Sequence, residues 1–331
     1  KGLAHPGIGY LAFATNWQLC RGGSHFLAHA VGGVFVRHGG DLVENSPVKE
    51  IILEGKRAVG VKTQDGKSYF ADKAVISAID LHQTFLDFIP EKALDADFRR
   101  KVQNLVYGRG DSLFGIHLAL KNPPKYTSAK FNPDIDTTFN LNIGYETPED
   151  VLEHFEETNR NELPKHPRLN VSVNTLFDPT QAPKGFHTGL MWQFAPYEIG
   201  DAGSEKWDEI KNDFAEKCIA VWREYAPNMD ADNILAVYPY TPHDIGQKMV
   251  NMRRGGFHAL SLTPEQFDDN RPLPELANFR TPFEGLYLAG SSQHCHGGIV
   301  GSPSYNALQV IGRDFGFLDK MPIGNKFWET A

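Results

Sequence analysis

The sequence predicts an α/β protein with an α+β region set into its middle. Three observations carry that prediction. A short apolar run, Leu286-Tyr287-Leu288-Ala289, precedes a glycine-rich turn and a helical pattern, the strand–turn–helix order of a parallel sheet. Towards the other end, two strand-like runs joined by Glu54-Gly55 read as a β-hairpin leading to a further apolar run over residues 73–78. Between these ends, four strand-like runs alternate with two helical patterns, which suggests a second sheet with one covered face.

In chain order, Gly7-Ile8-Gly9-Tyr10-Leu11-Ala12 fits the pattern G-x-G-x-x-G/A, which binds dinucleotides only between a strand and a helix. The residues before it are too few for that strand, so it is read as a coincidence. Arg21-Gly22-Gly23-Ser24 opens a helix that Ser24 is expected to cap, with Phe26, Leu27, Ala30, Val31 and Val34 on one face. His25, His29 and His38 lie on or just after this helix without a carboxylate at ligand spacing, so they read as surface or core histidines rather than as a metal site. Gly39-Gly40 ends the helix, and Asp41-Leu42-Val43-Glu44 reads as a short strand. The hairpin spans residues 48–53 and 58–63 and continues after Asp65-Gly66 into residues 67–71. Residues 73–78 form a buried strand, and helical patterns cover 81–88 and 91–105.

The four middle strands are expected over residues 113–120, 137–144, 169–176 and 188–194. Helices are expected over 147–158 and 204–225, the second with Trp207, Ile210, Phe214, Cys218 and Trp222 at helical spacing. Trp192, Phe194 and Tyr197 fit core packing and the wall of an apolar cavity equally well. Residues 235–240 form another strand, after which Thr241-Pro242-His243-Asp244 caps a short helix. In the final turn, Gly290, Gly297, Gly298 and Gly301 exceed what a tight turn requires. They point to a ligand site where backbone N–H groups aim at an anion or a polar ring edge and side chains would obstruct its approach. The last helix is read from Asn306, with Pro303 near its start and Ala307, Val310 and Ile311 on one face.

With 331 residues, 41% hydrophobic and 22% charged, the chain has a soluble globular profile and can form one large domain or two. A formal charge of −8 argues against a nucleic-acid binder, which needs a basic face. Cys20, Cys218 and Cys295 are too few and too scattered for a disulfide framework or a zinc cluster, so a reducing compartment is expected. No run approaches a membrane span. A cytoplasmic location, at most peripheral to a membrane, follows as the expectation.

Four blocks in order resemble the C-terminal two-thirds of a phytoene-desaturase-like flavoprotein, within the flavin amine oxidase superfamily. They are Arg21-Gly22-Gly23 with Gly39-Gly40 and the Val48 strand; Val59-Gly60-Val61 with Asp65-Gly66 and residues 71–78; Arg271-Pro272-Leu273-Pro274-Glu275 with Tyr287-Leu288-Ala289-Gly290; and His294 with the glycines up to Gly301. The turn departs from that family's H-P-G-G-G-V-x-G: Cys295 stands for proline, His296 for a glycine, and Ser304-Tyr305 where glycine is common.

The resemblance implies an FAD-binding three-layer fold, incomplete at its N-terminus, where the family has a G-x-G-x-x-G turn and an acidic ribose ligand. That segment is expected in cis or on a separate chain, leaving residues 1–331 alone to bind FAD weakly or not at all, with an exposed edge or apolar face on their central sheet. It implies a flavin region built from residues 1–110 and 230–331, with a substrate region over 111–229. It also implies FAD contacts from Val48, Ser77, Ala78, Gly290, Ser291, Gly297, Gly298, Ile299 and Val300, and a small apolar or aromatic substrate. His294 and His296, the titratable pair beside the expected flavin, are the catalytic candidates. Two functions stand: an FAD-dependent dehydrogenase or desaturase, and a non-catalytic flavoprotein-derived subunit that binds a partner chain.

Overall fold

The computed structural model describes residues 18–294, 296 and 301–318. The Gly7–Ala12 pattern, Cys295, Gly297, Gly298, Ile299 and Val300 lie outside the described residues. Described elements are, in order, α1 (His25–Arg37), β1 (Val48–Glu54), β2 (Arg57–Thr63), β3 (Ser68–Phe70), β4 (Val75–Ser77), α2 (Ala96–Gln103), β5 (Leu113–Leu120) and β6 (Asn140–Ile143). There follow α3 (Pro148–Asn159), β7 (Leu169–Ser172), β8 (His187–Phe194), α4 (Trp207–Tyr225), β9 (Ile234–Tyr240), α5 (Pro242–Lys248), β10 (Leu286–Leu288) and α6 (Ser302–Asp314).

Strands β1, β2 and β3 form an antiparallel sheet in that order, while β4 pairs in parallel with β10, Val75 opposite Leu286 and Ser77 opposite Leu288. Parallel pairing needs cover on both faces. One apolar cluster supplies it from Ile51, Leu81, Phe85, Phe98 and Val102 with Leu286 and Leu288; a second sets Tyr287 and Ala289 against Ala307 and Ile311 of α6. Backbone bonds from Ala58 N to Glu284 O and from Ile51 N to Phe88 O, both 2.8 Å, tie the hairpin to this part.

The five-stranded antiparallel sheet has the order β6-β7-β8-β5-β9. Alternation along β5 sends Phe114, Ile116, Leu118 and Leu120 to one face, where Trp207, Phe214, Cys218, Ile219 and Trp222 of α4 cover them. Strand β9 belongs here, pairing with β5 from Tyr240 opposite Gly115 to Ile234 opposite Leu120. The expected boundary at residue 230 therefore splits this sheet, because β9 returns along the far edge of β5 before the chain leaves.

Other expectations also shift. Ser24 has helical backbone angles and makes no side-chain cap, since that bond requires an extended cap residue. Residues 41–44 are not a strand; Leu42 and Val43 are exposed and pair with no strand among the described residues. Over residues 81–88 the helix widens into a π turn at Gln83–Asp87. Thr241 does form a capping box with Asp244. Helix α1 has no buried residue and leaves Phe26 56% and Val31 62% exposed, so this apolar exposure lies on a helix and not on the central sheet for which it was expected.

Candidate functional site

Because β4 and β10 run parallel, their carboxyl ends emerge side by side, the position where open α/β sheets hold ligands. Ala289 N donates to Ser77 O at 2.9 Å, joining the two ends. A Cβ built on Gly290 would lie 2.6 Å from the Ala78 carbonyl oxygen and 2.8 Å from its carbon. Strand packing by itself therefore requires a glycine at this position. Ser77 turns its hydroxyl inward to Thr84 Oγ1 at 2.7 Å, whereas Ala78 is exposed. Ser77, Ala78 and Gly290 thus lie together, while Val48 opens β1 in the neighbouring hairpin sheet.

The turn after Gly290 is pinned by Arg271, whose residue is 1% exposed. Its guanidinium donates to the carbonyl oxygens of Gln266 (3.1 Å), His258 (3.1 Å), Leu260 (3.0 Å), Ser291 (3.2 Å) and Gln293 (3.3 Å). The rigid fork of an arginine suits this task because its five N–H groups point in fixed directions. In the sequence Arg271 stands out only as a member of the Arg271-Pro272-Leu273-Pro274-Glu275 block, with no role attached. Nearby, Asp111 accepts from Ser261 Oγ at 3.0 Å, and burial pushes its carboxyl up to about 6. Three polar atoms of the turn, Ser292 Oγ and both Gln293 amide atoms, are buried without a hydrogen-bond partner among the described residues.

His294 Nδ1 lies 4.0 Å from Asp268 Oδ1, on a half-exposed side chain. Two residues on, the chain takes positive φ (85°) at His296, whose ring meets His258 edge-on at 5.1 Å between centroids. Burial, then the neighbouring His296 and Arg271, push His258 down to about 3, so it is neutral at pH 7. Sequence reasoning missed His258, which sits in a loop with no motif around it.

From His258 a run of rings leads to the uncovered face of the five-stranded sheet. His258 lies 3.8 Å from Phe257, Phe257 6.2 Å from Phe194, and Phe194 5.9 Å from Trp192, centroid to centroid. On that face Trp192, Gly115 and Tyr240 are in register across β8, β5 and β9. A Cβ on Gly115 would fall 2.4 Å from Tyr240 Cζ, so the glycine lets the phenol lie flat over the sheet. Of the open alternatives for the middle aromatics, Trp192 and Phe194 take the face away from α4.

The site residues fit a nucleotide cofactor with a polar ring: paired strand ends, exposed backbone at Ala78, and buried amide and hydroxyl groups in need of partners. Parallel strand ends beside a separate five-stranded antiparallel sheet accord with a flavoprotein-type oxidoreductase fold. Residues 8–302 match the family of flavin containing amine oxidoreductases. The chain belongs to that family, as a phytoene-desaturase-like member, and the cofactor that goes with membership is FAD. It is 31% identical over 319 residues to one of the subunits of the limonene dehydrogenase of Castellaniella defragrans, covering 93% of this chain and 57% of that protein. It is 25% identical over 291 residues to a lycopene-forming phytoene desaturase of a Paracoccus species, covering 85% of this chain and 52% of that one. An oxidoreductase structure from Methanosarcina mazei shares the fold, with TM-score 0.51 and 17% identity over 88% of this chain and 54% of that one. The chain spans about half the length of the relatives it matches. Among the described residues no helix is long and apolar enough to cross a membrane, and no group of three or more metal-ligating side chains occurs.

Proposed function

We propose that this chain supplies one wall of the FAD groove and the substrate sheet of a dehydrogenase or desaturase acting on an apolar or aromatic compound. The observation that carries the reading is the run of rings from the open sheet face to His296. Bound FAD supplies the acceptor for the hydride, or for two electrons and a proton, that leave a C–H bond. Trp192, Phe194, Phe257 and Tyr240 hold an apolar molecule by burying its surface, about 25 cal/mol per Å², and keep water from the reacting bond. His296, with neutral His258 beside it, is the group placed to take up a released proton. Ser77, Ala78, Gly290 and Ser291 approach the cofactor through backbone atoms, and Val48 from the hairpin. Gly297, Gly298, Ile299 and Val300 keep the role at the ring edge that the resemblance implies.

In this reading residues 1–110 and 241–331 serve the cofactor and 111–240 the substrate. The ADP half of FAD is held by a further segment, in cis or from a second chain. The exposed apolar side chains of α1 support such a neighbour. The test is anaerobic reduction of the FAD-loaded full-length protein by limonene, the compound in the relative's name, and by other hydrocarbons. Loss of the oxidised flavin absorbance with apolar compounds is expected. Bleaching by polar amines or alcohols alone would overturn the assignment, and a protein that never takes up FAD would favour the non-catalytic subunit.

A further inference from the structure

Gln293 is the most unusual polar side chain among the described residues. It is 1% exposed, yet neither its amide nitrogen nor its amide oxygen has a hydrogen-bond partner among them. Its backbone, by contrast, is fully employed: Gln293 N donates to Gly290 O at 3.1 Å, and Gln293 O accepts from His296 N at 2.7 Å and from Arg271 Nε at 3.3 Å. The turn is therefore fixed in place while the carboxamide it carries is left unmatched. Buried polar groups are nearly always hydrogen-bonded, and leaving both ends of one amide unpaired is costly. A leucine at this position would avoid the cost.

We propose that the Gln293 carboxamide reads an imide-type edge, a ring N–H beside a carbonyl, as the pyrimidine half of the flavin carries. This rests on the reading of the chain as an FAD protein and adds the residue that selects the ring. The chemistry discriminates among parts of the cofactor. A carboxamide offers one acceptor and two donors side by side. A phosphate at neutral pH offers acceptors only, so it would leave the Gln293 oxygen unmatched. An imide edge offers a donor next to an acceptor and matches both ends at once. Arg271 acts through the backbone of Ser291 and Gln293 and is a positioning residue for this contact.

The test compares full-length wild type with Gln293→Leu, each titrated with FAD and with FAD methylated at the ring N–H of the imide. Quenching of flavin fluorescence reports affinity, and thermal melting of the flavin-free protein reports folding. Wild type should bind FAD at least tenfold more tightly than the N-methyl analogue. Gln293→Leu should lose about tenfold in FAD affinity, discriminate little between the two flavins, and melt no lower than wild type when flavin-free. Melting well below wild type would show that the amide is satisfied by the protein itself, which overturns the proposal. Undiminished discrimination in Gln293→Leu would overturn it as well, placing the contact elsewhere while leaving the FAD reading intact. A wild type that takes up neither flavin removes the FAD reading, and this proposal with it.

Discussion

Gly290→Ala tests whether the carboxyl ends of β4 and β10 are held by contact rather than by backbone strain. Gly290 is not among the glycines with positive φ, so alanine can adopt its backbone and the penalty is steric alone. The added Cβ would meet Ala78 O at 2.6 Å, Ala78 C at 2.8 Å and Ala78 Cα at 3.2 Å. All three are backbone atoms and cannot rotate aside. Overpacking costs about 1–3 kcal/mol, and the rigid neighbour places this case in the upper half. Separating the strand ends also weakens the bond from Ala289 N to Ser77 O, worth about 1 kcal/mol. The expected loss is about 3 kcal/mol in urea unfolding, with reduced FAD retention on gel filtration. Gly32→Ala in α1 is the opposing control. The nearest atom to its Cβ is Leu42 Cδ1 at 3.5 Å, an ordinary contact, so stability should rise by up to about 1 kcal/mol. A Gly290→Ala protein within about 0.5 kcal/mol of wild type would refute the packing argument.

Two further outcomes follow from the buried charges. Arg271→Met should cost at least about 3 kcal/mol in urea unfolding, since it leaves five carbonyl oxygens without their charged donor. Arg271→Lys should rescue little of this, because one ammonium cannot span them; full rescue by lysine would show that charge alone matters. Asp111 is raised from its ordinary 3.8 to about 6, so the folded state favours the protonated acid. Its contribution to stability is full below about pH 4, falls as pH rises towards 6, and is flat above; two units correspond to about 3 kcal/mol. Asp111→Asn should remove that fall, and an unchanged slope of stability between pH 4 and 6 would contradict the assignment.

The strands and helices that carry a period were legible in the sequence. The alternation in 113–120 and the helical spacing of Trp207, Phe214, Cys218 and Trp222 reflect the two sides of one core, so each pattern announces the other. The Leu286–Ala289 run announced a buried strand for the same reason, and all four residues are buried. What a period cannot convey is pairing across the chain. Nothing local in residues 235–240 says that they lie against residues 115–120, so the expected boundary at residue 230 cuts through that sheet. The candidate site suffered similarly. A glycine in a turn reads as room for a ligand, and nothing local says that at Gly290 the backbone of Ala78, 212 positions earlier in the chain, requires it as well. Arg271 and His258 gained their roles from loops that pack only in three dimensions.

The electrostatic character of the site bears on what it can accept. Its strongest charge, Arg271, is turned to backbone carbonyls. Burial raises the Asp111 carboxyl to about 6 and keeps His258 uncharged at pH 7. The approach from the sheet is lined by Trp192, Phe194 and Phe257, which offer faces and edges but no ion. A charged amine meeting these rings would exchange its hydration for cation–π contacts, without a carboxylate among the rings to pair with it. A hydrocarbon gives up nothing comparable and gains the burial of its surface. In the proposed function these rings would therefore serve oxidation of C–H bonds in apolar molecules, and reduction of the FAD-loaded protein by hydrocarbons rather than by amines is the outcome that this reading expects.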